Sequence, residues 1–505
     1  VAKDGKHWAD ETADRLMEQG GEVVISTGIS PSGPIHIGNM REVVTADAVF
    51  RALGDRGLKP KFYYIADDFD NLRRVYPFLD PAVYEQHVGR PLSRVPGPAG
   101  DGRSYADHFL EPFLASLDTL GIDTELVRLH QLYESGRMTP MIKLALENRD
   151  RVVEIIDQLT GRETPDHWSP FTPICNNCGR LTATRVTRFD APAETVAYTC
   201  GCGDEGEVSM NGGGKLVWRV DWPAKWRVLG VTFEPFGKDH ATRGGSYATG
   251  ERICREIFGR SAPMPLIYEW IRLGDVGDMS SSKGNVVTIS EMLEILPPEV
   301  LRYLVIRRAP KKTISFDPGM PLLNLINDFD DTEAAGTDER SYQLSALGSV
   351  PAVGVPFKHV VTVVQIAGER GDDAVIEILR RGGYDVANED GIRGRAAYAR
   401  RWLETHAPET VKFSVQPTLP DAAQDLPLEA VRALGLLADR LAPGMDAEQI
   451  HQLLYDTAEA AQATAKEVFR ALYLALLGKE RGPRAGWFLS TLDTDFLVQR
   501  LRELS

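Results

Sequence analysis

The stretch that most restricts the fold is the apolar, β-branched run GEVVISTGIS at 21–30, followed without a gap by PSGPIHIGN at 31–39 and by REVVTADAVFRALGDRG. A run of this kind that breaks at Pro and Gly and resumes with helical periodicity reads as strand, tight loop and helix. The alternation returns in KPKFYYIAD (59–67), YADHFLEPFLASLDTLG (105–121) and PLIYEWIRL (265–273). Up to about residue 290 the pattern predicts an α/β fold, a parallel sheet wrapped by helices. Beyond that point helical signals take over. Ile450, Leu453, Leu454 and Thr457 share one helical face, as do Val468, Phe469, Leu472, Tyr473 and Leu476, with Gly478 as the C-cap. Residues 131–214 read as an insertion ending at the NGGGK run, and 343–358 as a linker.

At 505 residues and 43% apolar content the chain is long enough for several packed domains. No stretch approaches the roughly 20 apolar residues of a membrane span. The first residues, VAKDGKHWADETADRL, are charged throughout, so a cytoplasmic location is expected. A net charge of −15 means that a nucleic-acid partner must be met by local basic patches. VIRRAPKKT (305–313) and IRGRAAYARRW (392–402) are candidates, although a solvated helix face would show the same arginines.

Four of the five cysteines fall in two close pairs, Cys175-x2-Cys178 and Cys200-x-Cys202, with 21 residues between the pairs. This is the layout of two knuckles around a tetrahedral zinc, although the second pair has one intervening residue where two is commoner. Four thiolates leave no open position, so the role is structural. Cys254, alone in RICREIFG, reads as a small buried apolar residue.

A strand ending at Thr27-Gly28 and a helix whose first turn carries Pro34 and His36 would aim free backbone N–H groups at an anion. Gly33 and Gly38 would keep side chains clear, and His36 and Asn39 would add donors. The same residues also read as a Pro/Gly turn with a capping histidine. A second motif, DMSSSKGN at 278–285, is a polar loop able to wrap a triphosphate. It reads equally as a surface turn before a helix capped by Thr288 or Ser290, with Glu291 completing a capping box.

Together these motifs resemble those of the class I aminoacyl-tRNA synthetases. PIHIGN is similar to the HIGH motif with Asn39 in place of the last histidine, DMSSSKGN to the KMSKS loop, and FEPFGKDHATRGGS (233–246) to the Gly-x-Asp ribose segment. TGISPSG, DDFDNLRRV (67–75), WRVDWPAKW (218–226), GGSYATG and LLGKERGPRAGWF resemble the class I lysyl-tRNA synthetases, covering nearly the whole chain. Asp278 stands where such loops usually carry Lys, which leaves Lys283 as the loop's cation.

The resemblance implies a Rossmann-like catalytic domain in two halves (1–130 and 215–290), a zinc-ribbon-like connective insertion (131–214), a stem-contact region (291–342) and an all-α anticodon-binding domain (343–505). It also implies ATP-dependent activation of L-lysine and transfer to tRNA(Lys), with Mg2+ on the phosphates and a monomeric enzyme favoured. His36, Asn39 and Lys283 would be catalytic. ATP would meet Pro34, Gly38, Asp239, Met279, Ser280, Ser281, Ser282 and Lys283. Lysine would meet Gly28, Ser30, Trp218, His240 and Tyr268, with Asp67, Asp68 or Asp221 as the anion for the ε-ammonium. Zinc would sit on Cys175, Cys178, Cys200 and Cys202. Two other functions fit the same motifs: a lysine-activating enzyme that uses a non-tRNA acceptor, and a tRNA-binding paralogue without catalysis.

Overall fold

The computed structural model describes residues 5–274, 277–278, 286–335, 339–348 and 353–504. It divides into two units. The first comprises Val1–Leu293, Leu301–Phe316 and Arg340–Leu347, and the second Glu294–Val300, Asp317–Glu339 and Gly348–Ser505.

The first unit is built on five parallel strands: β1 (Val24–Ile29), β2 (Lys61–Ala66), β3 (Glu125–Arg128), and, after the insertion, two more that complete the sheet. The insertion contributes β4 (Phe171–Pro173), β5 (Thr184–Asp190), β6 (Thr195–Cys200), β7 (Glu205–Ser209) and β8 (Gly214–Leu216). The two that follow are β9 (Phe233–Gly237) and β10 (Met264–Tyr268). The order across the sheet is β10-β9-β1-β2-β3. From β1 the chain moves outward on one side through β2 and β3, then returns to add β9 and β10 on the other. That reversal opens a crevice at the carboxyl ends of β1 and β9, where an open α/β sheet holds its ligand.

The strands are apolar because both faces are covered. Val24 and Ile25 are buried in β1, Phe233 and Phe236 in β9, and the helix Ile37–Gly54 packs Met40, Val44, Ala48 and Val49 inward. Gly28 is required at its position: a Cβ there would lie 2.8 Å from the Ile65 carbonyl oxygen of β2.

Two sequence expectations change here. PLIYEWIRL is two strands, since after Tyr268 the chain leaves the sheet and Ile271–Leu273 forms β11 in a separate small sheet. There β11 lies between β12 (Gly277–Asp278) and β13 (Ile314–Phe316). The proposed linker at 343–358 begins inside the helix Glu339–Ser345, where Leu344 and Ser345 are buried. The cause is Arg302, fully buried, whose guanidinium donates to the carbonyls of Leu344 and Ser345 at 2.7 and 3.0 Å.

The second unit is helical, with Phe357–Ala367, Glu389–Thr405, Leu428–Arg440, Ala447–Ala460 and Ala465–Leu477 among its helices. Ile450, Leu454 and Thr457 are buried as their spacing requires, and Gly478 ends its helix in the left-handed conformation at φ 64°. Among the described residues no helix is long and apolar enough to cross a membrane.

Candidate active site

At the mouth of the crevice the helix Ile37–Gly54 starts after both Pro34 and His36, the residues expected in its first turn, and His36 is its N-cap. Pro34 therefore precedes the helix. The backbone donors expected to be free are already engaged. Gly38 N–H donates to His36 Nδ1 (3.1 Å), Asn39 and Met40 N–H to the His36 carbonyl (2.9 and 3.3 Å), and Ile37 N–H to the Val287 carbonyl (3.1 Å). Asn39 Oδ1 accepts from His36 N–H at 3.2 Å and closes a capping box. The capping reading of the motif is thus correct as far as it goes.

Capping also fixes the imidazole's chemistry. With Nδ1 accepting, the ring proton is assigned to Nε2, and burial pushes the His36 pKa down to about 4. His36 is a neutral donor at physiological pH.

Two cavities flank this point. The first, about 440 Å³, is lined by His36, Gly38, Asn39, Glu42, Asp239 and Tyr268 among others, and the second, about 480 Å³, by Ser30, Pro34, Asp67, Asp70, Arg73 and Trp218. Both lie in the size range of small-molecule sites. Gly28, Ile29, Asn39 and His240 line both, so occupants of the two would be neighbours.

Of the residues expected to hold lysine, Tyr268 faces the first cavity and Trp218 the second. Pro34, expected on ATP, lines the second. Asp239 stands on the turn just after β9. Trp218 stacks on Trp222 at 5.2 Å, and the His240 ring lies 5.9 and 5.2 Å from the two. Met279, Ser280, Ser281, Ser282 and Lys283 lie outside the described residues, as does the Asp278 side chain. Val287 and Thr288, just beyond that loop, pair with Ile37 and His36. Thr288 and Glu291 form the reciprocal bonds of a capping box, with Thr288 N–H donating to Glu291 Oε2 at 2.7 Å and Glu291 N–H to Thr288 Oγ1 at 3.2 Å.

The three carboxylates considered for the ε-ammonium have different surroundings. Asp68 is fully buried and accepts from His130 N–H (2.9 Å) and from the His130 ring (2.6 Å); it lines neither cavity. Asp221 is also fully buried behind the second cavity, where it accepts from the Tyr133 hydroxyl at 2.6 Å. Only Asp67 reaches the cavity wall, joined there by Asp70.

Asp67, Asp70 and Asp221 form one buried cluster with Lys215 and Lys225. Lys225 Nζ lies 2.5 Å from Asp67 and 3.4 Å from Asp221, and Lys215 bonds Asp70 and lies 3.6 Å from Asp221. Three carboxylates face two ammoniums. Burial pushes the Asp67 carboxyl up to about 6 against the pull of Lys225, so the cluster lacks one positive charge on its cavity side.

Glu42 escapes a motif search, yet it sits three residues after Asn39 on the same helical face. Its carboxyl accepts from Gly28 N–H at 2.9 Å and meets the Tyr268 hydroxyl at 2.8 Å, and burial pushes it up to about 8. A carboxyl that is largely protonated at pH 7 resembles an amide. Glu42→Gln is therefore expected to change stability by less than about 1 kcal/mol, against roughly 2–4 for Glu42→Ala. The sign with pH follows from a raised folded pKa. Glu42's contribution is complete below about 4.5 and is lost as pH rises through 8. Chemical denaturation at pH 5 and pH 8.5 should show that slope in the wild type and its loss in the glutamine variant.

In the insertion the four cysteine sulfurs lie within 4.8 Å of one another, with Cys175–Cys202 at 3.6 Å and Cys178–Cys200 at 3.7 Å. Sulfurs about 2.3 Å from a central zinc would be spaced about 3.8 Å apart, so the cluster fits the metal. Cys178 N–H donates to Cys175 Sγ at 3.4 Å, and Gly179 and Gly203 turn the chain at φ 71° and 90°. Purified protein is expected to retain about one zinc per chain, and Cys178→Ser to lose it, as read by elemental analysis and a lowered melting temperature.

One basic patch changes its reading. On the helix Glu389–Thr405, Arg393 pairs with Asp373, Arg395 with Asp330, Arg400 with Asp372 and Arg401 with Glu294. Its charge is already matched, as on a solvated helix face. In the other patch Arg308, Lys311 and Lys312 are exposed.

A parallel sheet with a switch-point crevice, a histidine-capped helix at its mouth and a two-part cavity is the setting in which the motifs similar to those of the class I tRNA synthetases stand. The chain belongs to that family: the family model described as tRNA synthetases class I (K) matches residues 6–347. It is 47% identical to lysine–tRNA ligase 1 of Methanosarcina acetivorans, over 99% of this chain and 98% of that one. It is also 47% identical to the lysine–tRNA ligase of Archaeoglobus fulgidus (98% and 99% covered), and 40% to that of Thermoplasma acidophilum (98% and 98%).

Proposed function

We infer that this chain activates L-lysine with ATP and transfers it to tRNA(Lys). The observation that carries the reading is the pair of cavities meeting at Gly28, Ile29, Asn39 and His240, because adenylate formation needs a carboxylate beside the α-phosphorus. In that step a lysine carboxylate oxygen bonds to the α-phosphorus of ATP. The bond from that phosphorus to the β-phosphate bridging oxygen breaks, and pyrophosphate leaves. The carboxylate is already ionised, so no protein base is required.

The nucleotide takes the first cavity, with Asp239 accepting from the ribose hydroxyls and His36 Nε2–H and the Asn39 amide donating to phosphate oxygens as charge develops. Lys283, four residues before the Val287 that pairs with Ile37, meets the leaving pyrophosphate. Mg2+, when bound, neutralises phosphate charge. Lysine takes the second cavity, where Trp218 and His240 wall its methylenes and Asp67 supplies the missing counter-charge to an ammonium. The terminal tRNA 2′-hydroxyl then attacks the adenylate carbonyl carbon, and AMP leaves.

The test is lysine-dependent exchange of pyrophosphate into ATP, together with charging of purified tRNA(Lys) by each standard amino acid. Strong preference for lysine is expected. Faster charging with another amino acid overturns the reading, and tRNA binding without exchange marks a non-catalytic paralogue.

A further inference from the structure

We propose that the segment following β2, through Arg73, Arg74 and the exposed ring of Phe78, receives the single-stranded 3′ end of the tRNA at the mouth of the lysine cavity. The inference rests on the function proposed above and adds a surface to it.

The segment is held firmly. Leu72 N–H donates to the Arg90 carbonyl (2.9 Å) and Gly89 N–H to the Leu72 carbonyl (2.8 Å), while Leu92 and Ser93 N–H bond the carbonyls of Asp70 and Asp68 (both 2.8 Å). From this frame Arg73 and Arg74 project into solvent, and Arg73 also lines the second cavity. Among the described residues neither has a carboxylate partner, whereas nearby Arg94 pairs with Glu134, and Arg103 with Asp101 and Glu111. Arg74 instead lies 5.5 Å over the ring of Tyr76. Tyr76 is buried, and Phe78 stacks on its ring at 5.6 Å and 11° and meets Phe109 edge-on, leaving Phe78 38% exposed.

Two unspent guanidiniums and an exposed aromatic face are the elements that bind single-stranded nucleic acid, through phosphate pairing and base stacking. Their location is where chemistry needs them. The terminal ribose must come to the carbonyl held between the two cavities, so the last phosphates must cross this rim. On a chain of net charge −15, such a crossing needs local positive charge.

The test compares two half-reactions in the full-length enzyme. In the double variant Arg74→Ala/Phe78→Ala, lysine-dependent pyrophosphate exchange, which needs no tRNA, is expected to stay within about threefold of wild type, which also shows that the variant is folded. Single-turnover transfer from preformed lysyl-adenylate to tRNA is expected to slow about 10- to 100-fold. Equal losses in both steps would place these residues on the small substrates and overturn the proposal, as would unchanged transfer. In the unaltered enzyme, a photoreactive nucleotide at the 3′ end is expected to cross-link within residues 71–80, and cross-linking confined to the insertion would overturn it. Absence of exchange in the wild type would instead count against the proposed function itself.

Discussion

Methionine in place of Lys225 is expected to destabilise the first unit by about 3–5 kcal/mol, the cost of breaking one member out of a buried ionic group. Lys225 is 2% exposed and stands between Asp67 and Asp221, whose carboxylates hold its ammonium protonated against the desolvation that burial imposes. Without it, two buried carboxylates share only the more distant Lys215. Denaturant unfolding followed by the fluorescence of Trp222 and Trp226, on the same helix, reads the change. Adding Asp67→Asn should restore part of the loss, because it removes one of the charges left unpaired. A loss below about 1 kcal/mol would mean that water or rearrangement reaches the cluster, and that its charge balance does not govern the pocket.

The second large effect is catalytic. His36→Ala is expected to slow lysine-dependent exchange about 100- to 1,000-fold, the usual consequence of deleting one donor aimed at developing charge. The loss has a structural part, since the Gly38 N–H loses its acceptor when the ring is removed. His36→Asn, which retains a capping acceptor and an amide donor, should recover a measurable fraction. Because His36 stays neutral down to about pH 4, the exchange rate should show no titration near 6.5 that His36→Asn abolishes; finding one would contradict the neutral-donor assignment. Stability gives an independent check. A histidine whose folded pKa is depressed is protonated first in the unfolded chain. His36 therefore weakens the fold progressively as pH falls from about 6.5 to 4 and has no such effect above.

The alternation of apolar strands and amphipathic helices was legible because local periodicity records which face is covered. The cysteine pairs were legible because metal geometry dictates their spacing. What stayed hidden depends on residues far apart in sequence. WRVDWPAKW places Lys225 among aromatic residues with no sign that Asp67 waits for it, and the lysine of NGGGK reads as the polar end of an insertion while it is buried on Asp70. The split of PLIYEWIRL was hidden for a related reason. Every residue in it suits a strand, but Glu269 N–H bonds the Pro310 carbonyl and Ile314 N–H the Trp270 carbonyl, which draws the chain away from the main sheet. Glu42 could have been found by extending the His36–Asn39 face one more turn. Arg73 and Arg74 fall inside DDFDNLRRV and Phe78 lies three residues past it, and nothing in the sequence marks any of them for a task, since exposure cannot be read from type alone.

The central pairing of β1 with β9 joins Ile25 to Phe233 across the whole of the intervening chain. During synthesis, β1, β2 and β3 therefore leave the ribosome with one ladder edge bare, and that edge stays available for misassociation until the later strands arrive. The nascent chain can hold neither reactant in working order before then. Premature termination anywhere in the insertion should yield insoluble, inert fragments, and co-expressed halves cut within 131–214 should rescue each other only if they meet before that exposed border aggregates.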